Sequence, residues 1–142
     1  MATKSVKRIF GNLGNSLDFK VAAAGFPKAD EGEWRYDMVW YVLDNDGFQV
    51  RLPMVLECEW NPDFTIDTDF QKLVQARADV RVWISALGNS ERVRQHIENC
   101  KKQIQQFLGS CTGDKYIFVI CDWTTAETII EHFEFSAAQN LA

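Results

Sequence analysis

Three carboxylates in two apolar segments are the residues of this chain best suited to chemistry. Glu57 and Glu59 lie two positions apart in the apolar run 52–60, and Asp37 lies in a similar run, 34–42. In a β-strand, side chains two residues apart point to the same face. Because buried paired carboxylates are unfavourable unless something neutralises them, the pair predicts a divalent metal or a cationic partner. On adjacent strands the three acids can form an all-oxygen metal cage.

Whether Asp37 meets Glu57 depends on the turn between the two strands. The segment 44–47, with sequence Asp-Asn-Asp-Gly, is a strong hairpin signal. Opposed residues on antiparallel strands have numbers whose mean marks the centre of the turn, so a loop centred on Gly47 places Asp37 opposite Glu57. A two-residue turn within that segment would instead send the two acids to opposite faces. A bulge near Pro53 would then restore the shared face.

The composition favours a single folded domain over residues 1–142. The chain is 46% hydrophobic and 13% aromatic, which is typical of a protein with a sizeable core. No apolar run reaches the length of a membrane span, and no signal peptide is recognisable, so we expect a cytoplasmic protein with no membrane partner. The cysteines lack CxxC spacing, which favours reduced, buried thiols over zinc ligands or disulfides. They are Cys58, Cys100, Cys111 and Cys121.

The net charge of −5 argues against broad affinity for nucleic acid, because phosphate neutralisation normally requires a basic face. Two local basic clusters nevertheless occur, and they consist of Lys4, Lys7 and Arg8, and of Arg92, Arg94, Lys101 and Lys102. Charge runs usually keep a helix solvated, so a solvated helix face is the favoured interpretation of each cluster.

Periodicity and helix breakers divide the chain into helices and strands. The patterns predict a helix over 4–14, strands over 17–24, 34–43 and 52–60, a break at 61–63 (Asn-Pro-Asp), a helix from Thr68 to about Asp79, a strand over 80–87, a helix from Ser90 to Gly109, a strand over 115–122 and a short strand at Phe133 and Phe135. The last helix is expected to bury Val93, Ile97, Cys100, Ile104 and Phe107. The fold class is therefore α/β.

Lys72 is the cation best placed to act with the acids. Thr68 and Gln71 have the spacing of a capping box, which places Lys72 at the end of the first helical turn. The helix dipole disfavours a cation there, which indicates that Lys72 serves a nearby carboxylate or anion. Pairing with Asp69, one turn earlier, explains its position equally well.

Asp37, the segment 56–60 and the segment 69–73 occur in that order, within the order helix, three strands, helix, strand. Over residues 4–122 the chain thereby resembles the PD-(D/E)XK, or restriction-endonuclease-like, superfamily. The resemblance implies a restriction-endonuclease-like core, in which a mixed β-sheet is flanked by helices in the order α-β-β-β-α-β. An extra helix and further strands would follow that core here.

The resemblance also assigns roles to the site residues. Asp37 and Glu57 would hold Mg²⁺ or Mn²⁺, with Glu59 close by as a ligand or base. Glu59 stands where the superfamily usually has a lysine, and Lys72 on the following helix is the candidate replacement. Lys72 would stabilise charge on the phosphate, while Gln71 would either orient the attacking water or only cap its helix.

The function implied is metal-dependent hydrolysis of phosphodiester bonds in nucleic acid, with DNA as the expected substrate. A non-catalytic interaction or regulatory domain that keeps the nuclease fold is the alternative, and a metal-binding module without hydrolysis is a third hypothesis. A homo-oligomer is compatible with each of them. Core packing is favoured over base stacking for the tryptophans Trp34, Trp40, Trp60 and Trp83. For Arg77 and Arg81 two roles stay open, contact with phosphate or cover of apolar surface by the side-chain stem.

Overall fold

The computed structural model describes residues 3–62 and 67–137 and contains one mixed six-stranded sheet flanked by helices. The helices and strands are α1 (Thr3–Ser16), β1 (Lys20–Ala22), β2 (Met38–Leu43), β3 (Gln49–Glu59), α2 (Thr68–Val74), β4 (Val80–Leu87), α3 (Ser90–Gln106), β5 (Lys115–Asp122) and β6 (Glu127–Glu134). The α/β class predicted from the sequence is thus confirmed.

The strands lie in the sheet in the order in which they occur along the chain. Strands β1, β2 and β3 form an antiparallel meander, β3, β4 and β5 are parallel, and β6 returns antiparallel to β5. A parallel neighbour requires a crossover connection, and α2 and α3 lie in the two crossovers. Strand β6 forms one edge of the sheet, and the three-residue β1 forms the other.

The helices cover opposite faces of the sheet. Helices α2 and α3 pack on the face that carries Val55, Trp83 and Phe118, which belong to one hydrophobic cluster. Helix α1 packs on the other face, where a second cluster contains Met38 and Leu56. Strand β4 lies between these layers and is almost fully buried, as expected for a central parallel strand.

The β2–β3 hairpin contains two register shifts that determine whether Asp37 and Glu57 lie opposite each other. Its loop is closed by the Asp44 N–H donating to the Phe48 carbonyl (2.9 Å), so it is centred on Asp46 and not on Gly47. Two register shifts between the strands then add one residue to β3 near Pro53 and another near Val50. The paired residues nearest the acids, Met38 and Leu56, are therefore back in the alignment that a Gly47-centred loop would give.

Several predicted boundaries need correction. Helix α2 begins at Thr68 but ends at Val74 instead of about Asp79, and its N-cap is Asp67 instead of Thr68. The first strand is shorter than predicted, while the last is a full eight-residue strand. Phe107 is the C-cap of α3 and is 39% exposed, so it does not extend the buried stripe. Asp63, part of the predicted break, lies outside the described residues.

The tryptophans and cysteines also divide between core and surface. Trp83 and Trp40 are buried, but Trp34 is 39% exposed, so the core assignment fails for that residue. The four thiols are free, as predicted, although Cys111 is exposed and not buried.

Within the described ranges, no helix has both the length and the apolar character needed to cross a bilayer.

Glycine at position 14 allows α1 to approach the sheet. A Cβ at Gly14 would lie 2.6 Å from Nε1 of Trp40, which donates a hydrogen bond to the Phe10 carbonyl (3.1 Å). We therefore expect Gly14→Ala to lower the free energy of unfolding by about 1 to 2 kcal/mol, because overpacking outweighs the better helix propensity of alanine. Urea denaturation is the measurement.

Asn12→Ala, at an exposed position of the same helix, is the matched control and should be neutral or slightly stabilising. A Gly14→Ala protein as stable as the control would show that α1 is not held this closely against Trp40.

Candidate functional site

The site is built around Glu57, a carboxylate that is only 3% exposed. Glu57 lies near the end of β3 and pairs with Trp83 of β4. Its side chain therefore points to the sheet face that α2 covers. A carboxylate in this position requires a cation or a proton to offset its loss of hydration.

Lys72 of α2 provides the cation. Its Nζ lies 3.0 Å from Oε1 of Glu57 and 3.1 Å from Oδ1 of Asp69. It also donates a long hydrogen bond to the carbonyl of Arg35 (3.4 Å). Lys72 and the buried Oε1 of Glu57 therefore form an ion pair at contact distance.

Asp37 lies just before β2, one step beyond the pair formed by Met38 and Leu56. Its Oδ2 accepts a hydrogen bond from the backbone N–H of Cys58 (2.8 Å), so the side chain ties the start of β2 to β3. The carboxylate is close enough to Glu57 for its negative charge to raise the pKa of Glu57. Asp37 and Glu57 thus form a like-charged pair with Lys72 beside it.

Burial dominates the titration of the two paired groups. It raises the pKa of Glu57 to about 8, and the charges of Asp37 and Asp69 act in the same direction, whereas Lys72 opposes them. Burial lowers the pKa of Lys72, but its contacts with Glu57 and Asp69 outweigh burial and leave that pKa raised. Because Glu57 is only 3% exposed, its burial shifts the pKa upward, and the carboxyl group binds a proton at a higher pH than an ordinary carboxyl group does.

The short helix that carries Lys72 is held at both ends by buried charged side chains. At its start, Oδ1 of Asp67 accepts hydrogen bonds from the N–H groups of Asp69 (2.8 Å) and Phe70 (3.2 Å). At its end, the guanidinium of Arg81, which is 4% exposed, donates to the carbonyl of Leu73 (3.1 Å) and to that of Ala76. A helix of seven residues is not stable alone, so these contacts determine where Lys72 lies.

Packing completes the support of α2. The ring of Phe70 is fully buried and meets Trp83 edge-on, with 5.3 Å between centroids. Because Trp83 is also the strand partner of Glu57, the same side chain supports the helix and borders the carboxylate. Lys72 and Glu57 are therefore positioned by one connected set of contacts.

Two of the sequence-predicted residues lie apart from this arrangement. Oε1 of Glu59 accepts a hydrogen bond from the backbone N–H of Asn61 (2.9 Å), which is a local turn contact. Gln71 is exposed and lines a groove with Gln75 and Gln103, on the side of α2 that faces α3. Within residues 3–62 and 67–137, no group of three acidic, histidine or cysteine side chains is arranged to hold a metal ion, so the three-acid cage is not formed there.

Sequence reasoning missed the buried residues that hold α2 and assigned Asp69 only to a competing structural role. The structure gives Lys72 both contacts, with Asp69 and with Glu57. Asp67 directly precedes the helix and has the residue type of an N-cap, a signal that identifies it from sequence. Arg81 carries no such signal, because the groups it contacts, among them the Leu73 carbonyl and the Asp114 carboxylate, lie elsewhere in the chain.

The raised pKa of Glu57 makes the stability of the protein depend on pH. Because the folded state binds the proton up to about pH 8 and an ordinary carboxyl loses it near 4.5, the free energy of unfolding falls as pH rises between these values. We expect Glu57→Gln to be more stable than the parent at pH 8.5 by a few kcal/mol, and equally stable near pH 4. Chemical denaturation across this pH range is the test.

Glu59→Gln makes the same chemical change two residues away and should follow the pH profile of the parent. If Glu57→Gln also follows that profile, Glu57 does not bind a proton in the folded state at neutral pH.

Comparisons with protein-family models, with curated proteins and with solved structures find no match for this chain.

Proposed function

We propose that the chain is a restriction-endonuclease-like domain that hydrolyses phosphodiester bonds in nucleic acid with the help of Mg²⁺ or Mn²⁺. The observation that carries the proposal is the contact of Lys72 Nζ with a buried Glu57 at 3.0 Å, next to Asp37. It brings together, from three separate elements, the acid pair and the lysine that this chemistry requires.

The order and pairing of the elements support the fold part of this proposal. An antiparallel meander β1–β2–β3 is followed by α2 and by β4 parallel to β3, while α1 and α2 cover opposite faces. This arrangement agrees with the α-β-β-β-α-β order on which the resemblance is based. Asp37 then lies directly before β2, and Glu57 lies near the end of β3.

The two carboxylates fit a magnesium ion but not a closed protein cage. Mg²⁺ is commonly held by one or two carboxylates together with water and substrate phosphates, and Asp37 and Glu57 supply two such ligands. A divalent ion there would supply a bound water of lowered pKa and would screen the phosphate charge. Glu59 and Gln71 lie outside this smaller set, because their side chains have other surroundings.

Lys72 acts on the phosphate in this proposal. Its side chain is 28% exposed, so the lysine contacts Glu57 and Asp69 at a place that is partly open to solvent, from which a substrate can approach. A fixed cation is most useful where negative charge develops on the phosphate oxygens. Asp69 and the carbonyl of Arg35 keep the ammonium in position.

Glu57 contributes a proton equilibrium as well as a ligand. Burial raises the pKa of Glu57 and so favours its protonated form, whereas a cation can be bound only by the deprotonated form. Metal affinity and hydrolysis should therefore both increase as the pH rises towards 8 and above.

A non-catalytic domain is the second candidate, and the same lysine favours it. Lys72 already offsets the charges of Glu57 and Asp69, so the acids have a role in stability that needs no metal. The two candidates differ in what happens when a metal and a substrate are added.

Lys72→Gln should abolish Mn²⁺-dependent cleavage of a panel of DNA and RNA substrates and leave Mn²⁺ affinity nearly unchanged, because the lysine acts on the phosphate and not on the ion. Gel-based cleavage and calorimetric titration with Mn²⁺ are the two measurements. Lys102→Gln, the same change at an exposed lysine of α3, is the control and should cleave like the parent.

Undiminished cleavage by Lys72→Gln would exclude its role on the phosphate. A parent protein that cleaves no substrate in the panel would exclude hydrolysis and leave the non-catalytic domain as the function.

A further inference from the structure

A basic groove lies on the face of the molecule covered by α1. It runs between one side of α1, with Lys4, Arg8 and Asn12, and the loop 25–28, and it has a volume of about 400 Å³. We call it the α1 groove. Its lining contains three cations, the third being Lys28 of the loop, and no carboxylate.

The sequence places these cations together for simple geometric reasons. Lys4, Arg8 and Asn12 are spaced four residues apart in a 14-residue helix, so they lie in a row on one side. The loop approaches that side because position 11 is glycine, where a Cβ would lie 2.5 Å from the ring of Phe26. Phe26 is buried against the helix, so it forms the apolar floor of the groove between Arg8 and Lys28.

The three cations of the α1 groove are not neutralised. None of them makes an ion pair within the described residues. By contrast, Lys7 pairs with Glu33, and Arg94 and Lys101 of the second basic cluster pair with Glu131. The chain as a whole has a net charge of −5, whereas the lining of this groove is positively charged. The groove therefore favours an anionic ligand.

The α1 groove begins at the same end of β3 as the candidate site. Thr3, at the start of α1, accepts a hydrogen bond through Oγ1 from Nε1 of Trp60 (2.7 Å), and Trp60 directly follows β3. Trp60 is three residues beyond Glu57, so the first turn of α1, with Lys4, lies near that end of the strand.

We propose that the α1 groove binds the phosphodiester backbone of a nucleic-acid strand through Lys4, Arg8 and Lys28. This inference rests on the proposed function, because it names the surface that holds the substrate outside the hydrolytic site. Lysine and arginine at this spacing contact phosphates without selecting a base sequence. The interaction is therefore of low sequence specificity and strongly dependent on salt.

The test is equilibrium binding of fluorescent single-stranded and duplex oligonucleotides, measured by anisotropy in EDTA over a range of NaCl concentrations. The variant Lys4→Gln, Arg8→Gln, Lys28→Gln should bind about tenfold or more weakly at low salt. The slope of log affinity against log salt should fall in size by about 2 for a single strand and nearly 3 for a duplex, since each lost phosphate contact removes about 0.7 or 0.9. Either form of nucleic acid supports the proposal if its binding shows this loss.

The matched control is Arg92→Gln, Lys102→Gln, Lys115→Gln, which removes the same charge at three exposed positions outside α1 and should bind nearly like the parent. Urea denaturation of both variants checks that they are folded. Equal weakening in the two variants, or a parent that binds no oligonucleotide at low salt, would overturn the proposal. Displacement by millimolar inorganic phosphate, beyond that by chloride at equal ionic strength, would also overturn it in favour of a small-anion site.

The outcome is independent of catalysis because EDTA excludes the metal. A parent that binds through the α1 groove but never cleaves would remove the proposed hydrolysis and leave this inference standing. If the parent cleaves and the groove variant binds and cleaves as well as the parent, the proposed hydrolysis stands and the α1 groove is excluded as the binding surface.

Discussion

The contact between buried Glu57 and Lys72 is the interaction on which the rest of this site depends. A carboxylate that is 3% exposed has lost most of its hydration, and a lysine ammonium at 3.0 Å returns only part of that free energy. The remainder appears as a raised pKa of Glu57. The protein keeps this costly arrangement only because the elements on either side are fixed independently, β3 by the sheet and α2 by its two caps.

The position of α2 therefore determines the geometry of the site as much as the acids themselves do, because α2 carries Lys72. Helix α2 has seven residues, too few to be stable without tertiary contacts, yet it has to hold Lys72 at a defined distance from β3. Asp67 binds its first N–H groups, Arg81 binds its last carbonyls, and Phe70 packs under it on Trp83. Two of these three supports are buried ionic side chains, which are unfavourable to bury unless their hydrogen bonds are satisfied. Together these contacts fix the position of Lys72 relative to Glu57.

The two faces of the sheet carry different electrostatics. On the α2 face, negative charge is concentrated at Asp37, Glu57 and Asp69 around one lysine. On the α1 face, three cations line a groove and form no ion pair with any other described residue. A negatively charged chain would be attracted to the second surface and repelled by the first unless a cation were present there. This asymmetry links the proposed binding surface to the proposed hydrolysis, because metal binding would remove the repulsion where the bond has to be broken.

Much of the architecture could be predicted from local sequence. Strands β4 and β5 have the predicted boundaries, because eight-residue segments in which most residues are apolar or β-branched, bounded by polar breaks, have few alternatives. The order of elements likewise follows from short sequence patterns. The choice of Asp37, Glu57 and Lys72 as candidate site residues rests on the same kind of local pattern. The shared alignment of Asp37 and Glu57 was more difficult, since the loop is centred on Asp46 and two added residues in β3 restore the alignment.

The sequence by itself determined which residues could react, and the tertiary structure decided which of them meet. Glu59 has the strand parity of Glu57 but is turned to a local hydrogen bond with Asn61, and Gln71 lies towards α3, so neither joins the acid pair. The sequence predicted contact with phosphate or cover of apolar surface for Arg81, yet its guanidinium holds the end of α2. These outcomes depend on side-chain contacts between distant segments, whose energies are set by burial and hydrogen bonding after the sheet and helices have packed, and no local pattern records them.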